Sequence, residues 1–176
     1  MSTLKGRIAE ALVESIFRKA RYQVAFVGRE THISHLIKVG RDEFFPDLLA
    51  WRPVTSLHQL VAVEVKYQAH LEYFALDQKE FSRAAEQWPD LYLVLVTDNP
   101  EPGRSCFQVQ QYAPHKPARM IDLHEANELG IWRANVEKHE GLVKRLFAAL
   151  DLKLWQDGGG EEGGPVGAGH ISEVHR

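Results

Sequence analysis

In the stretch Val61-Ala62-Val63-Glu64-Val65-Lys66, two charged side chains interrupt a short apolar run. Strand side chains alternate in direction, so Glu64 and Lys66 leave on one face and Val61, Val63 and Val65 on the other. An acid and a base in a strand that is otherwise apolar need a reason. The nearest candidate partner is Asp47, in the apolar run from Phe44 to Trp51. Pro53 to His58 reads as the loop between two strands. If the hairpin closes symmetrically about that loop, position 47 faces position 64. Two carboxylates abreast across a strand pair repel unless a cation sits between them. The pattern asks for a metal, with Lys66 beside it.

Hard divalent cations meet their needs in such a set. Magnesium takes oxygen ligands, keeps several waters, and is held by one or two carboxylates together with substrate phosphates. Asp47 and Glu64 can be those ligands, and the ion can activate water and neutralise charge building up on a phosphoryl centre. Lys66 can position the attacking water or, with a lowered pKa, take its proton. The arrangement fits metal-assisted phosphodiester hydrolysis. The plainer reading of Glu64 and Lys66 is an ion pair at a strand edge.

The elements that must position these groups can be read in order. Thr3 to Ala20 is a helix, with Leu4, Ile8, Leu12 and Ile16 at four-residue spacing and Val13 and Phe17 widening the stripe. Glu10 and Glu14 lie one turn apart on its remaining face, where they can pair with Arg7 and Arg18. Arg21 to Val27 turns to strand character. Arg29 to Glu43 holds His32, His35, Lys38 and Arg41 and reads either as a solvated connection, with a strand through Leu36 to Val39, or as a basic loop near a substrate. After the hairpin, Gln68 continues the Glu64 and Lys66 face. Asp77 to Glu80 resembles a capping box, and Phe81, Ala84, Ala85 and Trp88 mark one helix face. Leu91 to Val96 suits a strand buried on both faces, parallel to the 60–66 strand across a βαβ crossover. Asp98 to Ser105 is a loop, Phe107 to Tyr112 a strand, Leu123 to Leu129 a short helix, and Asn135 to Leu154 a longer one. On that last helix Leu142, Leu146, Ala149 and Lys153 trace one face beside Val143, Phe147 and Leu150. Trp132 and Trp155 read as core rather than as a stacking platform for bases.

The 176 residues suit one domain over 1–156, followed by a Gly-rich tail over 157–176. No apolar run is long enough to suggest a membrane span and nothing reads as a signal peptide, so a cytoplasmic protein with no membrane partner is expected. The single cysteine, Cys106, excludes an internal disulfide and a multi-cysteine zinc site. Net charge is -3, but residues 1–41 hold eight Lys or Arg against three Glu. A basic segment beside an acidic site is compatible with a polyanion near a cation-loaded centre.

The order helix with Glu10, then Pro46-Asp47, then Glu64-Val65-Lys66, then helix and strand, resembles the PD-(D/E)XK nuclease superfamily. Lys5-Gly6-Arg7-Ile8-Ala9-Glu10 is similar to the opening of archaeal Holliday-junction resolvases and their relatives. The resemblance spans residues 4–97 and implies a restriction-endonuclease-like α/β fold. Its αβββαβ core would carry a mixed central sheet flanked by helices, and C-terminal helices over 98–156 would extend it. It further implies a DNA endonuclease using Mg2+, with Mn2+ able to substitute. Asp47, Glu64 and the Val65 carbonyl would hold metal, Lys66 would be the catalytic lysine, and Glu10 the outer carboxylate, with Glu14 as the alternative and Gln68 nearby. Lys5, Arg7, Arg29, Lys38 and Arg41 are candidate DNA contacts. A homodimer is expected for a small chain that cuts both strands. Residues 98–156 match no part of the resolvase pattern and are left to DNA recognition, dimerisation or docking of a protein partner. The alternative is a nuclease-fold binding or assembly subunit that does without catalysis, and a weaker one is hydrolysis of a small phosphoester.

Overall fold

The computed structural model describes residues 2–27, 44–54, 57–71, 78–112 and 120–158. The basic segment, with the strand expected through 36–39, the cap expected at Asp77 and the tail after residue 158 lie outside the described residues.

Helix α1, Ser2–Lys19, turns Ala9, Leu12, Val13, Ile16 and Phe17 inward at helical spacing. Leu4 does not share that stripe as expected: it is exposed, and Lys5 takes the buried position. The helix stops in a Schellman motif. Tyr22 N–H donates to the Phe17 carbonyl at 3.1 Å and Arg21 N–H to that of Arg18 at 3.0 Å, with Arg21 left-handed at φ 67°.

Six strands follow in one sheet, ordered as they occur in the chain: β1 Gln23–Phe26, β2 Leu48–Val54, β3 Leu57–Tyr67, β4 Leu91–Val96, β5 Phe107–Tyr112 and β6 Ile121–Asp122. Only β3 and β4 run parallel, joined through helix α2, Gln78–Gln87. The fold is therefore α/β, with a mixed sheet flanked by helices. The β2–β3 ladder pairs Leu48 with Val63 and Arg52 with Gln59, the register that sets position 47 against 64. The loop is tighter than expected, because pairing continues through Pro53–His58 to Val54–Leu57. Pro53 is tolerated there because β1 pairs with β2 only as far as Trp51, so its missing N–H faces no neighbour.

Alternation along the strands sorts two apolar layers. Val61, Val63 and Val65 of β3, with Tyr92, Val94 and Val96 of β4, pack with the buried face of α1. Ala62, Leu91, Leu93 and Leu95 pack with Ala84 of α2 and Trp88 on the other face. Every residue of β4 is buried, as an unbroken apolar run inside a sheet requires.

Instead of one short helix, Leu123–Glu125 and Asn127–Leu129 form two separate 3-10 turns after β6. Helix α3, Arg133–Gly158, then begins earlier and runs into the start of the expected tail. Its inward stripe is Val136, His139, Val143 and Phe147. Leu142 and Leu146, read from sequence as a face of their own, are solvent-exposed, because α3 meets the first layer along the neighbouring stripe only. Trp132 is also outside the core, 75% exposed. Ile131 takes the buried slot just after left-handed Gly130. Among the described residues no helix is long and apolar enough to cross a membrane.

Candidate functional site

The β2 ladder ends at Leu48, one residue before Asp47, whose side chain then does what a further strand residue would. Its Oδ2 accepts the Val65 N–H at 2.8 Å, while its backbone carbonyl accepts from Val27 at 3.0 Å. Val65 presents its N–H and C=O along the same strand edge, so both leave toward Asp47. The alternation that sends Val63 and Val65 to the α1 side sends Glu64 and Lys66 to the α2 side, where Glu64 is 5% exposed.

Glu64 and Asp47 carboxyls lie within hydrogen-bonding reach of each other, and Lys66 Nζ donates to Glu64 Oε1. Burial raises the Glu64 pKa most, the Asp47 charge adds to it, and Lys66 pulls back, leaving it at about 7. The raised value makes Glu64 a carboxyl whose proton a cation can replace near neutrality. Two hard carboxylates, an adjacent carbonyl edge and a lysine whose side chain is half exposed fit a divalent metal and an attacking water.

Sequence-predicted Glu10 is half-buried on α1. The helix runs antiparallel to β3, with Lys5 against Tyr67 near one end and Tyr22, just past the other, against Gln59. At about 1.5 Å per helical residue and about 3.3 Å per strand residue, Glu10 stands level with Val65. Glu10, Glu14 and Arg18 share a stripe facing β1, since Arg18 Nη2 donates to the Val24 carbonyl at 2.9 Å. Glu14 is held by Arg18 at 2.8 Å, its surface reading. Gln68 extends β3 by one N–H bond to Val96 at 2.9 Å, on the Glu64 side by alternation. Arg7 is exposed, and Arg29, Lys38 and Arg41 lie outside the described residues.

Lys5 is not placed to contact DNA. It is 7% exposed, 2.9 Å from Asp151, 3.3 Å from Asp98 and 3.2 Å from the Tyr67 hydroxyl, over the rings of Tyr67 and Phe147. Burial alone would lower its pKa, but these partners outweigh that and raise it. Lys5 ties α1, the sheet and α3 together.

Two further clusters escaped the sequence reading. Asp122, His124 and Glu125 form, among the described residues, the one trio of acids and histidines with ligand atoms all within 4.8 Å of one another. Glu10 does not complete such a trio with Asp47 and Glu64. The Asp-x-His-Glu spacing was visible, but no strand was expected at Ile121–Asp122 to organise it. Asp122 already has Arg104 at 2.9 Å, and Glu125 Oε2 accepts the Asp122 N–H at 3.2 Å. Arg104 offsets one of the two carboxylates, and His124 Nδ1 is buried without a hydrogen-bond partner. The second is Ser15 with His139. His139 Nδ1–H must donate to the Asn135 carbonyl at 2.6 Å, so Nε2 accepts from the Ser15 hydroxyl at 2.9 Å. At 1% exposure His139 has no access to a substrate, and burial lowers its pKa. The pair clamps α3 on α1. The lone Cys106 is buried, its thiol pushed up to about 11 by burial, so it is no nucleophile.

Comparison of the chain with protein-family models, curated proteins and solved structures finds no match.

Proposed function

We propose that the protein is a metal-dependent DNA endonuclease of PD-(D/E)XK type, with Asp47 and Glu64 as metal ligands and Lys66 as the catalytic lysine. The observation that carries this reading is the buried Asp47–Glu64 carboxyl pair, closed on one side by Lys66. The helix, three strands, helix and strand of residues 2–96 support the restriction-endonuclease-like core. Bound Mg2+, or Mn2+ in its place, supplies an activated water and charge neutralisation at the scissile phosphate. Asp47 and Glu64 orient their oxygens through the Val65 N–H and the Lys66 ammonium. The Val65 carbonyl lies on the edge facing Asp47, and Glu10 is the outer carboxylate. Lys66, anchored on Glu64 and half exposed, holds the attacking water against the phosphate.

The test is incubation of purified protein with supercoiled, branched and single-stranded DNA in Mg2+, Mn2+ or EDTA. Nicking or linearisation that needs the metal and is lost in Lys66→Ala is expected. Cleavage that persists in EDTA or in Lys66→Ala overturns the mechanism.

One observation favours assembly as a second role. Leu142, Leu146 and Leu152 leave an exposed apolar stripe along α3, which suits a second copy of the chain or a protein partner. Sedimentation of wild type beside Leu142→Glu/Leu146→Glu checks this, and a monomeric wild type rejects the homodimer.

A further inference from the structure

At the far end of the β2–β3 hairpin from Asp47 lies a cleft of about 400 Å³ lined by Lys19, Ala20, Arg21, Arg52, Gly130 and Trp132. Arg52 and Gln59 are five pairs along from the acidic pair, about 17 Å, and on the α1 side of the sheet. The cleft therefore shares no residue with the metal site.

Three features make it more than a surface dip. First, Arg52 is locked in place. Its Nε donates to Gln59 at 3.0 Å and Nη2 to the Glu128 carbonyl at 3.3 Å, while its guanidinium stacks 4.5 Å over Tyr22. Gly130 accommodates this arrangement, because a Cβ there would lie 2.7 Å from Arg52 Nη1 and Gly130 itself is left-handed at φ 57°. Second, Lys19 and Arg21 are exposed, and among the described residues neither side chain has a carboxylate partner. Arg21 holds the left-handed position of a Schellman motif, which favours glycine, so the chain carries a cation there at a conformational cost. The two motif bonds also occupy the Phe17 and Arg18 carbonyls, so neither needs another donor. Third, Trp132 is 75% exposed beside these cations.

A flat exposed indole flanked by three cations matches a nucleotide, with its base on the ring and its phosphates on the cations. A free nucleotide in a dedicated pocket is mostly enclosed. An open tryptophan with cations on exposed stems instead suits one nucleotide of a passing strand.

We propose that this cleft binds a nucleic-acid strand, with a base stacked on Trp132 and backbone phosphates held by Lys19, Arg21 and Arg52. It goes beyond the metal site and stands independently of it. The test is fluorescence anisotropy of a labelled single-stranded oligodeoxynucleotide in EDTA, where no metal-dependent cleavage occurs. Trp132→Ala weakens binding about tenfold and Trp132→Phe restores most of it. Lys19→Ala lowers the slope of log affinity against log salt by about 0.7. Arg21→Gly weakens binding while raising the melting temperature, a combination that a merely structural role does not produce. Unchanged affinity in Trp132→Ala and in Lys19→Ala/Arg21→Gly overturns the proposal, whatever the metal site does. ATP that binds as tightly as the oligonucleotide overturns the strand assignment in favour of a free nucleotide. Loss of binding in these variants, in a protein that shows no metal-dependent cleavage, supports the cleft while rejecting the endonuclease.

Discussion

Lys5 and Glu64 are both charged groups buried against the central sheet, at 7% and 5% exposure, on opposite faces of it. Lys5 is surrounded by what an ammonium needs: two carboxylates, a phenol and two ring faces. Glu64 has one cation and, within hydrogen-bonding reach, another carboxyl. Burial of charge is common to both, so it cannot be what distinguishes a functional acid from a structural base. The difference is the balance of partners. A group whose surroundings favour its charged form holds the fold together, whereas one whose surroundings oppose it is a candidate for binding a ligand.

The sharpest way to break this contrast is at the acidic pair. Asp47→Ala and Lys66→Ala are each expected to cut metal-dependent cleavage by a factor on the order of 100 or more, read as the nicking rate of supercoiled DNA. The urea midpoint of Lys66→Ala should stay near wild type, whereas Asp47→Ala also removes the acceptor of the Val65 N–H and should lose about 1 kcal/mol. A comparable loss of stability and activity would make the pair structural, like Lys5.

Lys5→Ala should do the reverse. Removing the cation leaves Asp98 with only the Tyr67 hydroxyl and returns half-exposed Asp151 to water, and is expected to cost about 2 kcal/mol, measured by urea unfolding. A loss under about 1 kcal/mol would show that the tie between α1, the sheet and α3 is incidental.

The pH dependence of stability separates the two groups next. With its native pKa raised from 4.5 to about 7, Glu64 holds more proton in the folded than in the unfolded chain between those values. Its contribution is fully present below about 4.5 and is lost as pH rises through about 7. Mg2+ should therefore raise the melting temperature at pH 8 more than at pH 5, and Glu64→Gln should flatten both the pH slope and the metal shift. An equal Mg2+ effect at the two pH values would count against proton and metal sharing one place. His139, lowered by burial, acts oppositely: stability is full above about 6.5 and falls as the unfolded chain takes up a proton below it. His139→Asn isolates that limb.

The smallest expected effect lies on α1. Glu14→Ala removes an exposed pair with Arg18 and should shift stability by about 0.3 kcal/mol, leaving cleavage unchanged. Glu10→Ala should slow cleavage, and the opposite ranking would move the outer carboxylate to Glu14.

Local patterns carried a good part of this into the sequence. The hairpin register followed from symmetry about Pro53–His58, even though the strands pair further into that stretch than expected, because tightening a loop about its centre keeps the same partners. The doubly buried β4 and the helix before it were legible because an unbroken apolar run and an amphipathic stretch have few other solutions. The inward packing of Lys5 was not legible, because its acidic partners come from residues 98 and 151, which no local pattern brings together. Trp132 failed for a related reason. Which of two adjacent apolar residues, Ile131 or Trp132, faces the core depends on how the chain turns there, and apolarity says nothing about that turn. The two stripes of α3 were both visible, but only tertiary packing chose between them.

The hydrogen bond from the Val65 amide to Asp47 has one more consequence. The side chain proposed to hold the metal is also the last rung of a sheet, so on that proposal opening the end of β2 and releasing a metal become one local event. Amide exchange at Val27 and Val65 should then report occupancy directly, slowing when a cation pins Asp47 and quickening when it leaves. The backbone at the end of this hairpin is in that sense a built-in gauge of the site.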